Sequence, residues 1–511
     1  MNQLKTRFDQ AGKHLFAVLV LTSFYVFATA PTLSARLVKD PDIWWHLRTG
    51  QWIVEHHALP ATDPFSHTMQ GTPWVVYSWL YEVLVYLLVR WLGLAGVVCY
   101  TTVLVLVLIV ALFVFVRQTA RTDLRALGYV GLGLFGIATL CTPRPWLFTF
   151  LFFVIEYTLL IRARRLGRTR ALWWLVPIYA LWANLHIQFI YGLFLLGFDS
   201  VQDWLDQVLQ GDFRRAQFRA NFDPQRWVLV LGCFLATLVT PYHIRLYQIV
   251  WEYASQTRLA QYISEMQPLN FYDLENWAVL SLVIWALFRL GQRHLPKPSQ
   301  LVLLLIGILV AFRSSRDVWF VVFPALAILS DTDNIAETVT HPEPTPAFPL
   351  SPIPSLMLKP WVQGAAVLLF GLAVLSTLPK RHLDNATLQA RVAERFPVEA
   401  ARVIEARGYQ GPLYNLFDWG GYLIWRLPQH PVSMDGRGNI YGQDRIANNI
   451  DTWRGDHRWA QDPELAAARI VVADINQPLS ELLRQDPRFE LVYEDKVAAL
   501  FLPRAQPLAQ R

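Results

Sequence analysis

Residues 94–116 read LAGVVCYTTVLVLVLIVALFVFV, an uninterrupted apolar run without a charged side chain. Because an α-helix rises about 1.5 Å per residue, a run of this length crosses the hydrocarbon core of a membrane, which is about 30 Å thick. Comparable runs occur near 13–35, 126–142, 146–161, 171–185, 189–206, 227–240, 276–290, 300–312, 317–330 and 360–378. The sequence therefore predicts a mainly α-helical polytopic membrane protein with about eleven transmembrane helices.

The composition agrees with this fold class. Of the 511 residues, 54% are hydrophobic and 16% are charged, whereas soluble domains contain about 25% charged residues. The net charge of +6 is spread over short loops between apolar runs, where it indicates orientation in the membrane rather than nucleic-acid binding. The three cysteines lie in apolar runs without the spacing of a metal site, and we expect no disulfide framework.

The apolar run 74–92 decides the predicted topology. If this run crossed the membrane, the arginine-rich loops at 117–125 and 162–170 would face outward, against the preference of basic loops for the cytoplasm. We therefore expect a juxtamembrane helix at 74–92, within an outer loop spanning 36–93. The N-terminus is then cytoplasmic, and the proline-rich segment 331–359 is a cytoplasmic linker.

The chain after the last apolar run has a different pattern. Short strands are predicted near 411–417, 431–435, 469–474 and 489–502, with helices near 391–407, 444–454 and 478–485. This alternation predicts a soluble α/β domain over 380–511, outside the cytoplasm, after a transmembrane core of residues 1–330 and a last span at 360–378. The glycines of 420–421 and 436–438 lack the spacing of a dinucleotide-binding loop and are predicted to form tight turns.

The outer loop begins with an acidic motif, since residues 39–48 read KDPDIWWHLR. Pro41 can start a helix, on which Asp42 and His46 would share one face because they are four residues apart. A carboxylate there can act as a general base or hold a divalent metal ion, although the nearby histidines lack a recognised metal-binding spacing. The alternative is that Asp40 and Asp42 only cap the helix beside a belt of interfacial tryptophans.

Several basic side chains lie at the predicted outer ends of helices, against the general charge bias. They are Arg144, His186, Arg313 and Arg316. A fixed guanidinium can bind two oxygens of a phosphate group, so these arginines are candidates for binding a phosphate. The alternative is that they reach toward lipid headgroups or, near Arg316, pair with Asp317.

The arrangement resembles that of the GT-C superfamily of polytopic glycosyltransferases, near its aminoarabinose transferase and protein mannosyltransferase branches. In those enzymes an acidic motif follows the first helix, as Asp40 and Asp42 do here. A proline and an aromatic juxtamembrane helix come next, matched by Pro73 and Trp74, and then a true span, matched by 94–116. This sequence has Asp-Pro-Asp where relatives often carry Asp-Glu, which leaves open which acid acts.

The resemblance implies an inverting transferase in the inner membrane of a bacterial cell envelope. Its donor would be a sugar on a polyprenyl phosphate, its acceptor a lipid or glycan, and a divalent metal is used by only some members. The implied roles are Asp42 as base, Asp40 as its partner or the alternate base, Arg144, Arg313 and Arg316 on the donor phosphate, and His46 and His186 on the acceptor side.

Two other functions stay open from the sequence. A non-catalytic assembly or scaffold protein could keep the same fold, because fold alone does not determine activity. A polysaccharide or lipid transporter is less favoured, since the apolar runs lack paired Gly- or Pro-broken helices and deep ionisable residues. Replacement of Asp42 by alanine should abolish a transferase and leave a scaffold working.

The predicted topology can be tested with reporter fusions at the C-terminus. Because 380–511 is expected outside the cytoplasm, a phosphatase fused after residue 511 should be active and a fluorescent protein should be dark. A bright fluorescent fusion would reverse the predicted orientation and remove the outer-face assignment of the acidic loop.

Overall fold

The computed structural model describes residues 38–167, 169–211, 223–255, 258–292, 297–332 and 384–504. The predicted spans near 13–35 and 360–378 lie outside the described residues, as does the predicted linker beyond residue 332. The described part is mainly helical and has one small sheet.

The first part of the chain is a succession of helices at the positions of the apolar runs. They are α1 (Asp42–His56), α2 (Trp79–Leu92), α3 (Ala95–Arg117), α4 (Asp123–Gly136), α5 (Trp146–Leu166), α6 (Leu175–Leu185), α7 (Phe189–Leu209), α8 (Pro224–Thr237), α9 (Arg245–Ser255), α10 (Leu274–Gly291), α11 (Pro298–Arg313) and α12 (Trp319–Thr332). Short 3-10 turns precede α5, α6, α10 and α12.

Among the described residues, α3, α5 and α10 are long and apolar enough to cross a membrane, and α11 is apolar but shorter. Large apolar side chains such as Ile284 and Phe288 remain exposed on α10, as expected for a face in contact with lipid. In contrast, α12 is buried on nearly all sides and packs against α4, α10 and α11. A helix that is apolar all around belongs in the centre of a bundle, and α12 lies there. These helices mark the chain as an integral membrane protein.

Helix α1 begins at Asp42, directly after Pro41, and packs closely against α2. The close crossing depends on Gly50, because a Cβ added there would overlap the backbone carbonyl of Glu82. The predicted helix at 74–92 starts later than expected, at Trp79, and residues 74–78 are extended or turn. The crossing places the middle of α1, from His46 to Gly50, beside Glu82 in the first turn of α2.

The second part of the chain, residues 384–504, carries a four-stranded sheet with the order β1-β2-β4-β3. The strand β1 is parallel to β2, and β4 is antiparallel to both β2 and β3. The elements are α13 (Asn385–Ala393), α14 (Val398–Arg407), β1 (Leu413–Asn415), α15 (Phe417–Arg426), α16 (Gly438–Tyr441), α17 (Gln443–Trp453), α18 (Pro463–Ala467), β2 (Ile470–Asp474), α19 (Pro478–Gln485), β3 (Phe489–Glu494) and β4 (Ala498–Pro503).

Four predictions for this part were wrong in detail. The segment 431–435 is not a strand, since Val432 makes only isolated bridges, to Ser66 and Leu413. The segment 489–502 is two strands joined by a turn, and 391–407 is two helices. The glycines of 420–421 lie inside α15 rather than in a turn, and a Cβ added at Gly420 would overlap the carbonyl of Met434. Close backbone approach, not a positive φ, is therefore the reason for glycine there.

The outer loop holds the second part of the chain through a buried ion pair. Arg437 Nη1 lies 2.7 Å from Asp63 Oδ1 and Arg437 Nη2 lies 2.7 Å from Asp435 Oδ2, with all three side chains fully buried. Backbone bonds reinforce this contact, since His67 N donates to Val432 O at 3.0 Å. The residues before α2 and those after β1 thus form one packed unit.

Replacing Arg437 by methionine should therefore destabilise the chain strongly. Two carboxylates would remain buried without their cation, which costs about 3–5 kcal/mol for a broken buried pair. Thermal unfolding of the full chain in detergent should show a lower midpoint, together with faster proteolysis after residue 380. The exposed Arg402, which pairs with Glu399, provides the matched control: Arg402→Met should leave both readouts unchanged. An unchanged midpoint for Arg437→Met would contradict the proposed role of the pair.

Candidate active site

Arg144 lies in a rigid turn directly before α5. Prolines precede and follow it in the sequence, and Tyr81 Oη donates a hydrogen bond to the carbonyl of Pro143. Tyr100 Oη donates to the carbonyl of Arg144 itself at 3.2 Å. Because the backbone is held in this way, the direction of the guanidinium is set by the fold.

Three carboxylates from distant parts of the sequence converge on the Arg144 guanidinium. Its Nε lies 3.0 Å from Asp40 Oδ2, and its Nη1 lies 2.6 Å from Asp42 Oδ2 and 2.9 Å from Glu265 Oε2. The Arg144 side chain is only 13% exposed. One guanidinium cannot neutralise three ionised carboxylates in such a setting, so the cluster favours retention of a proton.

The two acids of the motif have different surroundings. Asp40 is committed to structure, because its Oδ1 accepts a hydrogen bond from the backbone N–H of Asp42 at 3.0 Å and both of its oxygens face Arg144. The Asp42 side chain is more accessible and lines a polar cavity, which is described below. It lies against Gly436, where an added Cβ would overlap Asp42 Oδ1. Asp42 is therefore the acid of the motif that a molecule in the cavity can reach.

Burial raises the pKa of Asp42 to about 7. Arg144 opposes this shift, whereas the neighbouring charges of Asp40 and Glu265 add to it. A carboxyl group with a pKa close to neutral pH can both accept and release a proton under physiological conditions, which is the property of a general acid or base.

His46 lies one helical turn after Asp42 on α1 and lines the same cavity. Its imidazole pairs with the carboxyl group of Glu82. His46 Nδ1 lies 3.2 Å from Glu82 Oε1, and both side chains are almost fully buried. Burial lowers the pKa of His46 well below its usual value and raises that of Glu82 well above its usual value. Both shifts favour an uncharged imidazole beside an uncharged carboxyl, which fits a polar cavity wall and adds no charge to the cluster.

The cavity has a volume of about 410 Å³. Its walls come from α1, from the Arg144 turn, from the loop before α10 and from the second part of the chain. The polar and aromatic residues that line it include Asp42, His46, Tyr77, Arg144, Trp146, His186, Tyr253, Glu265, Arg316, Arg395, Asp418, Arg454 and Gln477. We call this space the acidic cavity.

A second, more apolar cleft of about 470 Å³ adjoins the acidic cavity. Its apolar wall comes from α7, α9 and the end of α11, and Arg313 and Asp317 lie on its polar side. Arg316 lines both spaces; its guanidinium carbon lies 5.8 Å from the Trp146 ring centroid and 6.0 Å from that of Tyr253. Its buried Nε has no hydrogen-bond partner among the described residues.

The structure thus brings most of the predicted site residues to one cavity. Asp42, His46, Arg144, His186 and Arg316 line it. His186 is buried there with its Nδ1 2.9 Å from Thr149 Oγ1. Asp40 lies behind the wall on Arg144, and Arg313 lines the apolar cleft instead.

Sequence reasoning missed two acids of this site. Glu265 is in the loop before α10, and nothing in its local sequence connects it with the acidic motif. Glu82 lies in an apolar run with no local sign of a role in the site, although it is at the same helix crossing as His46. Both contacts depend on tertiary packing, so only the structure shows them.

A metal ion does not fit this arrangement as it stands. No group of three or more His, Cys, Asp or Glu side chains within the described ranges is arranged to hold a metal. The space between Asp40, Asp42 and Glu265 is taken by the Arg144 guanidinium, which supplies the positive charge that a divalent cation would bring.

No family model and no curated protein matches the sequence of this chain. The structure is similar to an oligosaccharyltransferase of Archaeoglobus fulgidus in the apo form, with a TM-score of 0.48, 11% identity, and coverage of 90% of this chain and 69% of the other. The archaeal oligosaccharyltransferase AglB from Archaeoglobus fulgidus, in complex with an inhibitory peptide and a dolichol-phosphate, has a TM-score of 0.49 and 12% identity. The match covers 90% of this chain and 69% of the other.

ArnT from Cupriavidus metallidurans, bound to undecaprenyl phosphate, has a TM-score of 0.43 and 12% identity over 93% of this chain and 97% of the other. These solved structures belong to the superfamily that the acidic outer loop resembles.

The raised pKa of Asp42 predicts a particular dependence of stability on pH. The carboxyl titrates near 3.8 in an unfolded chain and near 7 in the folded one, so the folded state binds more protons between these values and loses stability as the pH rises through that window. Asp42→Asn removes this titration. In thermal unfolding, the midpoint of the variant minus that of wild type should therefore increase between pH 5 and pH 7.5. A constant difference would contradict the raised pKa.

Proposed function

We propose that this chain is an inverting membrane glycosyltransferase that moves a sugar from a polyprenyl phosphate to an acceptor at the outer face of the membrane. The observation that carries the proposal is the pairing of the acidic cavity with the apolar cleft through Arg316. A polyprenyl-phosphate sugar has three parts in the matching order: an apolar chain, an anionic phosphate and a polar sugar.

The donor fits the two spaces in one orientation. Its isoprenoid chain would lie in the apolar cleft, between α7, α9 and α11, and its sugar in the acidic cavity. The phosphate would lie near Arg316, which lines both spaces and whose planar guanidinium suits phosphate oxygens. Arg313, at the polar side of the cleft, adds positive charge for the approach of the same group.

Asp42 would act as the general base. An acceptor hydroxyl attacks the anomeric carbon, its proton passes to the Asp42 carboxylate, and the bond from the anomeric carbon to the phosphate oxygen breaks on the opposite side. The leaving polyprenyl phosphate keeps the bonding electrons, and Arg316 stabilises its added charge. A base of this kind contributes about 10²–10⁴-fold, and a single displacement inverts the anomeric configuration.

The neighbours of Asp42 would hold it in place for this step. Arg144 and Asp40 fix the carboxylate by the ion pair and the backbone bond already described, while His46 and His186 line the side on which an acceptor would bind. In this proposal residues 1–330 form the catalytic membrane core, 331–359 a cytoplasmic linker and 360–378 the last span. The α/β domain of residues 380–511 closes the cavity from outside.

Donor binding and chemistry can be tested separately, with undecaprenyl phosphate as the probe. Native mass spectrometry of the full chain should show this lipid bound, and Arg316→Met should weaken binding at least tenfold because the buried phosphate partner is lost. Asp42→Asn should bind the lipid as wild type does. As control, Arg226→Met removes an arginine that lies away from both spaces, paired with Asp199, and should not change lipid binding.

The chemical role of Asp42 is tested by complementation of a deletion strain. We expect the deletion to change the profile of lipid-linked sugars or surface glycans, wild type to restore it, and Asp42→Asn to fail although it folds and binds lipid. Restoration by Asp42→Asn at wild-type level would contradict catalysis and favour a non-catalytic scaffold. Loss of lipid binding by Arg226→Met alone would contradict the proposed donor site.

A further inference from the structure

A second polar cleft of about 420 Å³ lies entirely within the second part of the chain. It is formed by α17, by the turn that follows it and by the start of α18, and it is separate from the acidic cavity. The polar side chains that line it include Arg445, Asn448, Asn449, Asp451, Thr452, Asp456, Arg458, Gln461, Asp462 and Glu464. The indole of Trp459 adds the one aromatic surface of the described lining.

Asn449 is the unusual residue of this cleft. Its side chain is 2% exposed, and neither its Nδ2 nor its Oδ1 has a hydrogen-bond partner among the described residues. A buried amide without partners costs free energy, and proteins tolerate such groups chiefly where a ligand or an ordered water completes the hydrogen bonds. A group that both donates and accepts, such as a hydroxyl, is the complement of this amide.

The carboxylates around Asn449 already have partners. Asp462 Oδ1 accepts from the backbone N–H of Glu464 at 2.8 Å, and its Oδ2 accepts from Tyr414 Oη at 2.7 Å. Glu464 accepts from Arg445 at 2.6 Å, and Asp451 accepts from Tyr262 Oη at 3.0 Å. These carboxylates are therefore satisfied within the protein, which disfavours a cationic ligand.

An anionic ligand is disfavoured as well. Two arginines line the cleft against four carboxyl groups, so its formal charge is negative. Arg445 is held by Glu464, and Arg458 lies near Asp456. A neutral molecule rich in hydroxyls, with an apolar face for Trp459, meets both constraints, and a volume of about 420 Å³ is within the usual range for small-molecule sites.

We propose that this cleft is a binding site for a neutral carbohydrate of about disaccharide size, with Asn449 as its central hydrogen-bonding group. The site is close to the acidic cavity, because α17 contributes Ile450 and Trp453 to that cavity, followed by Arg454 directly after the helix, and contributes Asn448 and Asn449 to the cleft. Binding needs neither Asp42 nor Arg316. It can therefore be tested independently of the proposed transferase activity.

The test uses the full chain in a detergent without a sugar headgroup, since an alkyl maltoside would itself compete. Saturation-transfer NMR with maltose, cellobiose, N,N′-diacetylchitobiose and α-1,6-mannobiose at millimolar concentration measures binding. We expect wild type to bind at least one of these sugars and Asn449→Leu to bind it at least tenfold more weakly. Asn449→Leu should unfold at or above the wild-type temperature, because it removes an unsatisfied buried amide.

Matched variants separate the cleft from the rest of the chain. Asn476→Leu changes an exposed asparagine outside the cleft and should bind as wild type does. Asp42→Asn should also bind unchanged, so that failure of the transferase proposal leaves this result standing. Gln461→Ala, at an exposed position of the cleft, should weaken binding even if Asn449→Leu does not fold.

Three outcomes would overturn the inference. The first is that none of the four sugars gives a signal with wild type, which would indicate a cleft filled by water alone. The second is that the signal survives both Asn449→Leu and Gln461→Ala. The third is that trilysine or inorganic phosphate displaces the bound sugar from wild type, because the cleft would then belong to a charged ligand.

Discussion

The arrangement of this protein depends on one guanidinium, that of Arg144, and on the three carboxylates around it. Asp40 and Asp42 come from the start of α1, Arg144 from the turn before α5, and Glu265 from the loop before α10. Four charged groups from three segments are packed together at buried or partly buried positions, and their mutual attraction offsets the cost of removing them from water. Burial within this arrangement raises the pKa of Asp42 to about 7 against the opposing charge of Arg144, and so prepares it for proton transfer.

The helices were predictable because their signal is local. Apolar runs give helix positions within a few residues, as for α3 at Ala95–Arg117 and α10 at Leu274–Gly291. Comparing the length of a run with the thickness of the membrane needs no tertiary information. The second part was harder. Its strands are short, and Val432 pairs only with isolated partners. Glycines 420 and 421 suggested a turn but lie in a helix, because their smallness serves a neighbour that is distant in sequence.

The candidate site was predictable only in part, for the same reason. The motif around Asp42 and the arginines at helix ends stand out because charge at such positions is unusual in an apolar chain. Which acid faces the cavity could not be read from Asp-Pro-Asp, since the answer depends on Asp40 bonding to the Asp42 backbone and on Gly436 lying against Asp42. The local sequences around Glu265 and Glu82 do not indicate their role. Arg313 and Arg316 are equivalent in the sequence pattern, but only Arg316 lines both spaces, whereas Arg313 lines the apolar cleft alone.

The contact between Gly436 and Asp42 also bears on the order in which the protein is made. A ribosome synthesises Asp42 and Arg144 long before it reaches residues 395–477, which supply the opposite wall of the acidic cavity. Membrane insertion of the helices can therefore proceed while that wall does not yet exist. The nascent chain carries its acids and its arginine but no enclosed space for a sugar, so completion of the cavity coincides with the last stage of translation and docking.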